Sequence, residues 1–172
     1  MFLKKTNLFL LLFYICSISA YGQDDFCDAI NTIIRDAPNQ FRNIKGNLIN
    51  TSSNAIIWSC GIKVAGTINS RFVSSMGLFY EGAFLQTKNK EDVKFNYEKY
   101  KTMLSDCFLK EGYKLSLQDN FFPGMSDYKK VVFMPAVKED APQSAAPPHI
   151  TMEATYSKQL GYYTIVMYIF QH

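Results

Sequence analysis

The sequence predicts an α+β two-layer sandwich: a mostly antiparallel sheet carrying two helices on one face. Three observations predict it. Two stretches repeat their apolar residues at helical spacing, Phe26 to Ile44 and Val93 to Phe108. Several others alternate apolar and polar residues with the period of a strand. The order is helix, two or three strands, helix, then three or four strands, and the strands are joined by turns too short for parallel crossovers.

The first 22 residues stand outside this pattern. Lys4 and Lys5 give a positive start, and Leu8–Ile15 is an unbroken apolar run. Ala20 and Gly22 supply small residues at a cleavage site. That is the pattern of a secretory signal peptide. The run is too short for a spanning helix, which needs roughly 20 apolar residues. Residues 1–22 are therefore read as a signal peptide and residues 23–172 as a single α+β domain, exported to the periplasm or beyond. Ile15 precedes Cys16 where a lipidation site would carry a small residue, so no lipid anchor is expected.

The first helix is expected to start at Asp25. Phe26, Ile30, Ile33, Ile34, Ala37, Phe41 and Ile44 line one face, Pro38 should kink or restart it, and Gly46 should end it. Asn47–Asn54 reads as a polar loop. Ile56, Trp58, Cys60, Ile62 and Val64 then share a strand face. A short strand is expected around Arg71–Ser74, and Gly77–Thr87 reads as another. Glu91–Glu111 is the second helix, with Val93, Tyr97, Tyr100, Leu104, Cys107 and Phe108 on its apolar face.

Tyr113, Leu115 and Leu117 alternate as a strand. Gln118–Asp127 is a turn-rich loop. Lys130–Val137 is a strand that Pro135 should place at a sheet edge. Residues 138–148, rich in proline and alanine, suit a flexible loop. Ile150, Met152, Ala154 and Tyr156 mark the next strand. Tyr162–Gln171 is apolar on both faces and is read as a central strand, not as a membrane span. No internal sequence repeat is visible.

Composition narrows the function. With the signal removed, 16 of the 18 basic residues face 15 acidic ones, and no single-sign run stands out. That argues against a nucleic-acid partner. Two histidines and no Cys-x-x-Cys leave no metal site of the usual spacing, and no cofactor is implied. A nucleophile–base–orienter set is not apparent. His149 follows Pro147 and Pro148 in the expected loop, and no Gly-x-Ser-x-Gly occurs. Glu81 and Glu153 are the one carboxylate pair that strand patterns could bring together, as glycoside hydrolysis would require. Solvated positions on an open sheet face account for them more simply.

Cys27, Cys60 and Cys107 remain in the exported chain, and all three fall on predicted core faces. Cys27 and Cys107 sit on the apolar faces of helices that should pack on the same side of the sheet. A Cys27–Cys107 disulfide is expected, with Cys60–Cys107 as the rival. Phe121, Phe122 and Met125 in the Gln118–Asp127 loop are the candidate partner-binding residues, because apolar side chains on a loop often form a contact surface. Folding back to plug the core is the simpler alternative.

The run Phe41-Arg42-Asn43-Ile44-Lys45-Gly46, behind a signal peptide and a helix bearing Cys27, resembles small exported proteins of the Bacteroidota with no assigned activity. The resemblance covers mainly the first helix and implies an envelope address. The element order also looks like the chaperone-type α+β folds of bacterial secretion systems, an analogy of fold alone. The expectation is an exported, non-catalytic envelope binding protein whose partner is an envelope protein. The alternatives are a small hydrolase using a carboxylate pair and a structural subunit pairing through a sheet edge.

Overall fold

The structure, a computed structural model, describes residues 25–110, 113–117, 129–135 and 148–170. Helix α1 covers residues 25–36 and runs into a 3-10 turn at Ala37–Asn39. Strands β1 (Lys45–Thr51), β2 (Ile56–Cys60), β3 (Asn69–Ser74) and β4 (Leu78–Thr87) follow. Helix α2 (Lys90–Lys110) leads into β5 (Tyr113–Leu117), β6 (Lys129–Pro135), β7 (His149–Ser157) and β8 (Tyr162–Phe170). The eight described strands form one antiparallel sheet in the order β1-β2-β3-β4-β8-β7-β6-β5, with two helices on one face. The α+β two-layer expectation holds.

The order hides a duplication. Each half is a helix followed by a four-stranded meander, and the halves meet where β4 pairs with β8. Exchanging the halves maps the strand order onto itself. The repeat is one of topology, which explains why no sequence repeat announces it.

The core lies between helices and sheet. Phe26, Ile30 and Ile33 of α1 are fully buried, and α2 contributes Val93, Tyr97, Tyr100, Leu104, Cys107 and Phe108. From the sheet come Phe72, Tyr80, Phe84, Phe133, Ile150, Met152, Ile165, Met167 and Ile169. β8 sits beside β4 in the middle of the sheet, as its apolar composition predicts. Gly82 is required by packing: a Cβ there would lie 2.7 Å from the Tyr80 hydroxyl and 2.9 Å from its ring. That hydroxyl is bonded to Ser70 Oγ at 3.0 Å, and burial pushes its pKa up.

Three expectations need correction. First, α1 ends at residue 36, not at Gly46. Pro38 sits in the first positions of the 3-10 turn that begins at Ala37, and the chain reverses through Gln40 and Phe41 at φ of 57° and 55°. Such left-handed residues are disfavoured without glycine. Here Asp36 holds the turn. Its buried carboxylate accepts hydrogen bonds from the Asn43 backbone N–H at 2.9 Å and from the Asn39 and Asn43 amides. The Phe41 ring packs 4.8 Å from Phe72. Second, the stretch read as a loop at Asn47–Asn54 contains most of β1, an edge strand paired to β2 through two irregularities. Third, β6 lies between β5 and β7, so Pro135 marks the end of a strand and not a sheet edge.

Cys27 and Cys107 are bonded, with their Cα atoms 5.3 Å apart. The bridge ties α1 of one half to α2 of the other. Cys60 is a free thiol, half-buried on the helix side of β2, and burial raises its pKa. It is therefore a poor nucleophile at neutral pH.

Candidate functional site

Strand alternation sends Tyr80, Met167 and Met152 toward the helices. Their neighbours Glu81, Tyr168 and Thr151 therefore point to the opposite, helix-free face. Antiparallel pairing aligns these neighbours in one row across the sheet. Arg71 of β3 pairs with Glu81 of β4, Glu81 with Tyr168 of β8, Tyr168 with Thr151 of β7, and Thr151 with Val132 of β6. This row, at the junction of the two halves, is the candidate site.

Two ion pairs flank Tyr168. Arg71 Nε donates to Glu81 Oε1 at 2.8 Å, and its Nη2 lies 2.6 Å from the same oxygen. Lys130 Nζ lies 3.0 Å from Glu153 Oε1. The Glu81 and Glu153 side chains retain only 18% and 21% exposure. Burial raises the Tyr168 pKa to about 12, with the charges of Glu81 and Glu153 adding to the rise and Arg71 opposing it. The phenol thus remains a neutral donor throughout the physiological range.

Beside these charges lies an aromatic patch. Phe79 is 5.1 Å from Phe170 and 5.9 Å from Tyr168 by ring centroids, and Tyr168 and Phe170 stack at 5.8 Å. Val73, Val132 and Thr151 on this face are buried although they lie outside the helix-side core. Thr151 Oγ1 is buried and makes no hydrogen bond among the described residues.

The face does bring Glu81 and Glu153 to one side of the sheet. Two strand spacings and two residues of offset separate their Cα atoms by about 12 Å. Each carboxylate is drawn away from the other. Arg71 lies on the strand beyond Glu81, and Lys130 on the strand beyond Glu153. Each carboxylate is thus taken up by its own basic partner, and the two do not converge on a common point.

His149 is the first residue of β7, directly after the loop expected over residues 138–148. It is on the helix-free face, whereas Cys60 is on the helix side of β2, and the two form no nucleophile–base pair. Phe121, Phe122 and Met125 lie outside the described residues, as do residues 138–147 of the predicted flexible loop. Among the described residues no group of three metal-binding side chains is present, and no helix is long and apolar enough to cross a membrane.

Tyr168 is the site residue with no local signal of its own: within Tyr162–Gln171 it reads as one more residue of a strand apolar on both faces. Its position between two glutamates depends on the long-range pairing of β4 with β8, for which local alternation gives no signal. No protein-family model, no curated protein and no solved structure matches this chain.

Proposed function

We propose that this chain is an exported, non-catalytic envelope binding protein that engages its partner through the helix-free sheet face. One observation carries the reading. The ionisable side chains Arg71, Glu81, Lys130 and Glu153 are closed into pairs beside an aromatic patch. Such a face offers shape, ring surface and a few fixed hydrogen-bonding groups, the ingredients of an interface core and rim. Each of its carboxylates is taken up by a basic partner. The disulfide supports the export reading, because such bridges persist in oxidising compartments.

Native electrophoresis of a gently solubilised envelope fraction tests this. The chain should migrate in a complex well above its own mass. Val166→Arg, a change on the same face between Ala83 and Glu153, should release it with an unchanged thermal midpoint. Free migration of the unaltered chain would contradict the proposal.

A second reading is favoured by β1. This edge strand leaves Leu48 59% and Ile49 60% exposed, and its outer edge lies unpaired among the described strands. Edges of that kind accept a partner strand. Proline at Ile49 would then release the partner while Val166→Arg would not.

A further inference from the structure

A second place, separate from the sheet face, has the makings of a ligand site. Between the first half of α2 and the far end of β7 and β8 lies a cavity of about 270 Å³. That is near the lower end for small-molecule pockets, roughly 300 Å³. Its body is apolar. Val93 and Tyr97 come from α2, Ala154 from β7 and Tyr163 from β8, and the first three are all at least nine-tenths buried. The gap persists because Ala154 supplies only a methyl group where its in-register neighbours Lys129 and Ile165 carry long side chains.

The rim is cationic. Lys90 and Lys94 stand one turn apart on α2, and Lys129 starts beside Ala154. Glu91 is the acidic residue among those that line the cavity. Lys129 also reaches Glu98 at 3.6 Å, but Glu98 is shared with Lys101. These ammonium groups are point charges on flexible stems, without the fork that grips a phosphate bidentately. They suit a single anionic head that remains partly hydrated.

We infer that this cavity binds a small amphipathic carboxylate, its apolar body against Val93, Tyr97, Ala154 and Tyr163 and its carboxylate at Lys94 and Lys129. The inference is independent of the sheet-face reading. A chain with a silent sheet face could still hold such a ligand.

Calorimetric titration of the full, oxidised chain with octanoate tests it, at concentrations below micelle formation. Hexanoate and octylammonium serve as comparisons. Octanoate should bind saturably at one site. Hexanoate should be weaker by about fourfold for each missing methylene. Octylammonium, which has the same tail and the opposite charge, should be at least about tenfold weaker than octanoate. K94Q/K129Q should weaken octanoate by about two- to fivefold per lysine and leave octylammonium no weaker.

Ala154→Leu should abolish octanoate binding by filling the cavity. If that variant does not fold, the lysine variant and the chain-length series decide on their own. Absence of saturable octanoate binding would overturn the inference. So would octylammonium binding as tightly as octanoate, or unchanged octanoate affinity in a folded Ala154→Leu chain.

Discussion

Reducing the Cys27–Cys107 bridge should destabilise the fold by about 4.5 kcal/mol. The figure follows from chain entropy. The bridge joins residues 80 apart, and closing a loop of that length in the unfolded chain lies between about 3 kcal/mol for 15 residues and about 4.7 kcal/mol for 100. The closed loop contains the whole first meander, β1 to β4, and the bridge holds α1 against α2. Urea unfolding of the oxidised and the reduced protein, followed by circular dichroism, measures the effect. With a slope of about 2 kcal/mol per molar urea, the midpoint should fall by about 2 M on reduction. A Cys27→Ala/Cys107→Ala chain should unfold near the reduced midpoint and ignore reductant, which also controls for the free Cys60 thiol. Coincident midpoints for the oxidised and reduced protein would refute the argument.

Tyr168 should titrate near pH 12 in an ultraviolet pH scan, and Glu81→Gln or Glu153→Gln should each lower that value, since both charges raise it. A tyrosine pKa raised from about 10 in the unfolded chain adds stability that is complete below pH 10. That stability is lost as pH rises toward 12, because only the folded state then keeps the proton. Tyr168→Phe should remove this stretch of the pH profile. Gly82→Ala should cost about 2 kcal/mol by thermal melting, because its methyl collides with the Tyr80 ring. Mass spectrometry of protein from the envelope fraction should find Gln23 at the amino terminus, and a chain retaining Met1 would contradict export.

The legible parts of this fold are those whose burial leaves a local pattern. α2 could be read because six of its residues recur on one buried stripe, from Val93 to Phe108. β8 could be read because its helix side is buried and its helix-free side half-buried, so that none of its nine residues is fully exposed. β1 could not, since an edge strand exposed along nearly its whole length has no buried face to imprint. The end of α1 was misread for a related reason. Phe41 and Ile44 fall at helical spacing by coincidence, while the turn is held by Asp36, a buried carboxylate whose partners lie three and seven residues on. The disulfide was legible because both cysteines sit on helix stripes that one sheet face must cover. For the candidate site, the sequence placed Glu81 and Glu153 on strands. Which strands became neighbours, and hence which tyrosine stands between the two carboxylates, depended on a seam between residues almost ninety positions apart.

Site-specific photo-crosslinking in living cells tests the binding reading most directly. A photoreactive residue at Val166, on the helix-free face, should yield one discrete adduct in the envelope. The same probe at Lys158, in the exposed turn between β7 and β8, should yield none. Adducts of equal yield from both positions, or no adduct from Val166, would contradict the assignment of the helix-free face as the partner surface.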